Sequence, residues 1–229
     1  MNYLLQLDQP AQEAELITSA IWQTAPSAEI MLAMLWETKE FKQPNTLATY
    51  EPNLRLFATS CARRLSHLLT DERSQHAIRT AELCAVAAVG VTAAQLHNAY
   101  LQSQAAVMEI AKTYNQPELP IVDRITVTMD HPTGLDPRVL FGAALLHAAS
   151  TASIACCTTQ ICGALEAAKT CTRYSTKALY WEMLSNGADS ILISEFLEEE
   201  DRRQAQALRL FLGNPFDSKH SPPMTLRPA

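Results

Sequence analysis

Glycine is scarce in this chain, six in 229 residues, too few to supply the Gly-rich loops that cradle phosphates. No GxGxxG, GxxxxGKS/T or GxSxG segment occurs, so the usual signs of dinucleotide binding, P-loop chemistry and hydrolase nucleophiles are missing together. The histidines (His67, His76, His97, His131, His147, His220) form no HExxH, ExxH or HxxxH pattern, which disfavours zinc-protease and di-iron carboxylate chemistry. Positive charge is also in deficit. Lys and Arg total 18 against 24 Asp and Glu, a net charge of −6, and the field of the whole molecule therefore disfavours nucleic acid and anionic membrane surfaces.

Cysteine is present, at Cys61, Cys84, Cys156, Cys157, Cys162 and Cys171, but not in a pattern that binds metal. No CxxC pair occurs, and adjacent residues such as Cys156 and Cys157 point about 100° apart on a helix. A chain this long needs no disulfide staples, and its start has no signal-peptide pattern, so reduced thiols and a cytoplasmic location are expected. The expectation is no metal and no cofactor.

What is abundant is Ala, Leu, Glu and Gln, the residues that lose least on entering a helix. The composition predicts an all-α fold, a single helical domain over residues 1–229 with about seven or eight helices in an array or bundle. Leu16, Ile17, Ala20 and Ile21 recur at helical spacing, and Ser27 caps a second helix with Ile30, Met31, Met34 and Leu35 as its inner stripe. From Pro52 the series Leu54, Phe57, Ala58, Cys61, Leu65, Leu68 and Leu69 follows one helix face, with Arg55, Arg63 and Arg64 largely off it. Thr70 and Asp71 stop that helix and start the next, lined by Ala77, Ile78, Ala81, Leu83 and Cys84. Thr92 and Gln95 make a capping box for a helix running to about Tyr114.

Periodicity then fails. Residues 115–136 carry Pro117, Pro120, Pro132 and Gly134 and read as a long irregular connection, a length that in compact domains is often functional. Asp136-Pro137 reopens helix. From Val139 to Leu165 no charged residue occurs. The run is long enough to cross a bilayer, but its Ala, Ser, Thr, Cys and Gly content, with His147 and Gln160 inside, fits a central bundle helix over Val139–Ala164 better. A helix near Thr172–Leu184 and another from Asp189 follow, the latter with Glu198–Arg202 and Glu199–Arg203 pairs on a solvated face. Residues 217–229 read as an extended Pro-rich tail.

Two segments, LRLFATSCARRLSHLLTDERSQHAIRTAE at Leu54–Glu82 and QALRLFLGNPFDSKHSPPMTLRPA at Gln206–Ala229, resemble the recurring core of an uncharacterised helical family of planctomycetes. That family carries LRLFxxxCxRRxxHLLTDERS, then an Ala-rich stretch, then GNPF. Leu65 and Ser66 stand where the family has Ile and Trp. The resemblance implies a shared helical core and brings no activity with it.

Candidate interaction residues cluster where the resemblance is strongest. Arg63, Arg64, His67, Asp71, Glu72 and Arg73 surround the tight turn, where two arginines could grip a phosphate or a partner's carboxylate, or simply suit the helix dipoles. Asn214-Pro215-Phe216 is either a rigid docking turn or a hydrophobic contact back onto the last helix. Asp130, His131 and Asp136 are the acids and histidine of the long connection, the place for a polar pocket. The expected function is a non-enzymatic interaction or scaffold module, bound to an unknown protein partner or to itself as a homo-oligomer. Two alternatives stand beside it: an enzyme of unknown class with its pocket near 115–136, and an anion or nucleic-acid binder through the Arg63/Arg64 region, using Arg55, Arg63, Arg64, Arg73 and Arg79.

Overall fold

Local capping chemistry sets most of the helix starts. In a computed structural model, which describes residues 18–39, 41, 43–86, 91–114, 136–157 and 162–217, Ser27, Asp71, Thr92, Asp136 and Asp189 each turn a side-chain oxygen onto an otherwise orphaned backbone N–H of the helix they open. The Thr92–Gln95 box is reciprocal, Gln95 accepting from the Thr92 N–H at 2.7 Å. The helices are α1 (residues 18–24), α2 (Ala28–Glu37), α3 (Pro44–Arg64), α4 (Glu72–Ala85), α5 (Ala93–Thr113), α6 (Pro137–Ala155), α7 (Ala164–Ser185) and α8 (Ser190–Leu212). Among the described residues the fold is all-α, with eight helices and no strand.

Helix α3 runs through the middle, packed against α4, α6, α7 and α8. One end of the core gathers Trp22, Met31, Leu32, Leu35, Leu54, Phe57, Leu208 and Leu212, all essentially inaccessible. A second cluster joins Leu65, Leu68, Leu69 and Ile78 to Ala144, Ala148, Ala152 and Ala178. The small residues of α6 bring its backbone close to its neighbours. Gly142 shows how close: a Cβ there would stand 2.6 Å from the Tyr114 side chain. The third cluster links Ala77, Ala81, Leu96, Ala99 and Tyr100 to Cys156 and Cys157.

Several boundaries differ from the sequence reading. Helix α3 begins at Pro44, with Pro52 inside it. An interior proline forfeits one backbone bond and costs about 3 kcal/mol, and here burial of Tyr50 against Phe41, ring centroids 4.9 Å apart, holds the first turns in place. Leu65, Leu68 and Leu69 are buried as expected, yet they lie beyond the α-helix in a tighter turn whose N–H groups bond three residues back. Helix α2 is rotated from its expected stripe, burying Leu32 and leaving Ile30 45 % exposed.

The uncharged run is not one helix either. Helix α6 stops at Ala155 and α7 opens at Ala164. The stop has a donor waiting. Arg55, buried rather than off the core face, reaches across from α3 and donates to the Cys157 carbonyl at 2.8 Å and the Ala155 carbonyl at 3.4 Å. A charged donor satisfies carbonyls that the helix would otherwise leave orphaned in the core. Helix α6 is also the one described helix long and apolar enough to cross a membrane, and 72 % of that stretch is buried among its neighbours. The connection 115–135, with Asp130 and His131, and the tail beyond Asp217 lie outside the described residues.

Candidate functional site

The candidate residues of the first motif gather where α3 ends and α4 begins, and four of them reach a different helix each. Arg63 makes a two-pronged bond to Glu82 of α4, at 2.8 and 2.6 Å. Its neighbour Arg64 points the other way and grips Glu200 of α8, again with both prongs. His67 Nε2 lies 3.0 Å from both carboxylate oxygens of Glu182 on α7. Arg73 donates to Asp71 and, at 3.1 and 2.6 Å, to Glu109 of α5. Asp71 carries a double duty, capping α4 through the Arg73 N–H at 2.8 Å. Glu72 is exposed in the first turn of α4, where the helix dipole favours an acid.

Electrostatics follow from this wiring. The guanidinium of Arg73 holds both Asp71 and Glu109 below the usual carboxylate range, and the two acids raise Arg73 in return. Glu200 is wholly buried, so Arg64 is its counter-ion in a low-dielectric setting. Gln204, also buried, donates to Glu200 at 2.9 Å and to Ser175 at 3.1 Å, extending the network into α7. The Glu195–Arg203 segment is therefore solvated on one face only, and Arg202 and Arg203 both pair with Glu199.

The second motif closes the opposite end. Gly213 adopts φ 66° and ψ −139°, a region open essentially to glycine alone, and its carbonyl accepts from Trp22 Nε1 at 2.8 Å. Asn214 accepts from the Phe216 N–H at 3.1 Å and donates to Ser19, while Phe216 meets the Trp22 ring edge-on at 5.7 Å. Arg209 donates to the Trp22 and Ala25 carbonyls at the end of α1. Asn214, Pro215 and Phe216 thus fold back onto the N-terminal helices as a lock. Of the acids assigned to a polar pocket, the described one, Asp136, caps α6 by accepting from the Arg138 N–H at 2.8 Å.

A groove lies beside the hub. Leu56, Thr59, Ser60 and Arg63 line it from α3, Arg79, Glu82, Leu83 and Val86 from α4, and Phe211 from α8, enclosing about 560 Å³. Both helices contribute at i, i+3, i+4 and i+7, the signature of two facing stripes. The Thr59 and Ser60 hydroxyls donate to carbonyls of their own helix at 2.8 and 2.7 Å. Glu82 is held by Arg63. Arg79 is exposed and makes no ion pair among the described residues. The groove thus offers a ligand apolar surface and one guanidinium, with its hydroxyls and its carboxylate already engaged.

Sequence reasoning missed the burial of Arg55 and of Glu200, and the groove. For two of them a signal exists. Arg55 shares a helix line with Thr59 and Ala62 and with Glu51, its ion-pair partner one turn earlier at 3.0 Å, and Glu200 and Gln204 continue the core line of Ile193 and Leu208 on α8. The groove has no such signal, because it needs the relative placement of three helices. Among the described residues no cluster of three or more His, Cys, Asp or Glu could hold a metal. Compared with protein-family models, with curated proteins and with solved structures, the chain finds no match, so the likeness of its two motifs rests on the residues themselves.

Proposed function

We propose that the protein is a non-enzymatic interaction module that docks an apolar segment of a protein partner in the groove between α3 and α4. The observation that carries this reading is the division of charge: Arg63, Arg64 and Arg73 are engaged in ion pairs between helices, while the adjacent groove presents Leu56, Leu83, Val86 and Phe211 beside the unpaired Arg79. A volume near 560 Å³ lies within the range of pockets that bury sizeable ligands. Arg79 selects a segment with a carboxylate next to its apolar anchors, against a molecule whose net charge of −6 repels acidic chains elsewhere. The six thiols are all free, which supports a reducing compartment, and we assign the module to the cytoplasm and outside the membrane.

The anion-binding alternative would need Arg63 and Arg64 free, and both carry bidentate carboxylates. A photo-crosslinking phenylalanine analogue in place of Leu83, introduced in the native cells, tests the reading. It should yield a crosslinked peptide with apolar and acidic residues together, whereas the same analogue at Leu101, 52 % exposed on α5 and away from the groove, should not. Equal labelling from both positions would defeat the proposal. A crosslink to a second copy of this chain would make the partner itself.

A further inference from the structure

The groove between α3 and α4 has two unlike ends. The helices run antiparallel about the turn at residues 65–71, so Arg63 and Arg79 lie toward that turn, and Leu56 and Val86 lie about 10 Å further along, seven residues of helical rise. Phe211 joins the far end. Helix α8 passes α3 in the opposite direction, Glu200 meeting Arg64 while Leu208 and Leu212 share a cluster with Leu54 and Phe57. The far end is therefore apolar, and the near end is cationic, since Arg63 and Arg79 against Glu82 leave one positive charge.

Resting on the docking reading above, we propose that the occupant is an amphipathic α-helix of a partner protein, bound with its N-terminus at Phe211 and its C-terminal turn at Arg79. An extended segment fits poorly. The walls are helices whose backbone groups bond internally, the Thr59 and Ser60 hydroxyls donate to their own helix, and Glu82 accepts both prongs of Arg63, so the amides of an extended chain would lose water without a ladder to join. A helix arrives with its amides paired, and apolar anchors at i, i+4 and i+7 span about 10 Å, the length of the groove. Charge sets the polarity. The last turn of a helix has unpaired carbonyls and the negative end of the dipole, which the exposed Arg79 guanidinium meets with donors and a positive charge. The reverse orientation would set the positive end of the dipole against Arg79 and turn the carbonyls toward Leu56, Val86 and Phe211. The partner helix thus runs parallel to α3 and antiparallel to α4, with its carboxylate in the last turn. An acid there disfavours the free helix, and Arg79 removes that penalty on binding.

The test is binding of three fluorescent peptides to the full-length protein, read by anisotropy, each of about 16 residues with one shared composition on an Ala- and Gln-rich background. The first carries leucine at i, i+4 and i+7 and glutamate at i+11, in its last turn. The second reverses that order, and the third sets the leucines at alternate positions, as an extended strand would present them. The first should bind at least about tenfold more tightly than either of the others, and Arg79→Glu should erase its advantage over the second. Equal binding by the second or third peptide, or binding by none, would overturn the proposal. The docking reading is judged separately by Leu83→Glu, a position 47 % exposed. If that variant weakens whichever peptides bind, the groove is the docking site and only the helix or its polarity is at stake. If it changes nothing, the peptides bind elsewhere and both readings fail. With no peptide bound, the Leu83 crosslink in cells still decides the docking reading.

Discussion

Arg63 and Arg64 are adjacent, carry the same charge and each hold one glutamate with both prongs, yet they belong to different parts of the molecule. Arg64 turns inward to the wholly buried Glu200 of α8, whereas Arg63 turns outward to Glu82 at the lip of the groove. About 100° of helix rotation separates the two directions. Inward, the pair lives in a medium where an unmatched charge is expensive, and outward, water and salt screen it. A repeated charge in a motif is thus two devices, one holding the core together and one shaping a surface.

The largest effect should come from breaking the inner pair. Arg64→Ala leaves the Glu200 carboxylate buried without its counter-ion, and urea denaturation should report a loss of roughly 3–5 kcal/mol, toward the lower end because water reaches part of Arg64. Arg63→Ala should lose less than about 1 kcal/mol. The double substitution Arg64→Met with Glu200→Leu should recover much of the inner loss, since an apolar pair of similar volume leaves no stranded charge. Equal losses at Arg63 and Arg64 would erase the distinction.

His147 extends the inner side of the comparison to a charge that never forms. It is 2 % exposed in the middle of α6, its Nδ1 has no partner, and burial, with Lys177 adding to it, lowers the ring to about 3. The unfolded chain therefore takes up a proton below about pH 6.5 that the folded state refuses. Stability from this group is complete above pH 6.5 and should fall as pH drops toward 3, with a slope on the order of 1.4 kcal/mol per pH unit. In His147→Leu that part of the slope should vanish in a urea series between pH 4 and 7. An unchanged slope would mean that the ring is protonated in the fold.

These buried groups also mark where the sequence stops being legible. Ser27, Asp71, Thr92, Asp136 and Asp189 could be read as caps because capping involves a side chain and a backbone two or three residues away. The two antiparallel helices on either side of Asp71 followed from the same local chemistry. By contrast the Val139–Ala164 run looked continuous because nothing in its composition breaks a helix, and the break comes with Arg55, about 100 residues earlier in the chain. Glu200 read as solvated because its neighbours Glu198 and Glu199 are acids, although its place on the α8 core line pointed inward. The groove depends on how α3, α4 and α8 meet, which no single stretch encodes.

The GNPF lock gives a middle case. Gly213→Ala forces a side chain into φ 66°, ψ −139°, and should cost roughly 1–3 kcal/mol. Because the lock joins α8 to α1 through Trp22, the loss should appear together with increased exposure of Trp22, read by its fluorescence. Asn214→Ala, which removes one turn bond and the link to Ser19, should cost less and shift fluorescence in the same direction. A fluorescence change in neither variant would detach the motif from the role given to it here.

The smallest stability effect is expected where the functional reading puts its weight. Arg79→Ala removes an exposed cation with no ion-pair partner among the described residues, and the midpoint of unfolding should move by no more than about 0.5 kcal/mol equivalent. Arg63→Ala frees Glu82 at the same lip and turns the local charge of these three groups from positive to negative when combined with Arg79→Ala. If the groove prefers carboxylate-bearing segments, the double variant should lose the Leu83 crosslink while retaining its fold, and high salt should weaken the wild-type crosslink in parallel. Loss of stability without loss of crosslinking would place the outer pair with the inner one, as scaffold, and leave the apolar stripes of α3 and α4 to carry the docking alone.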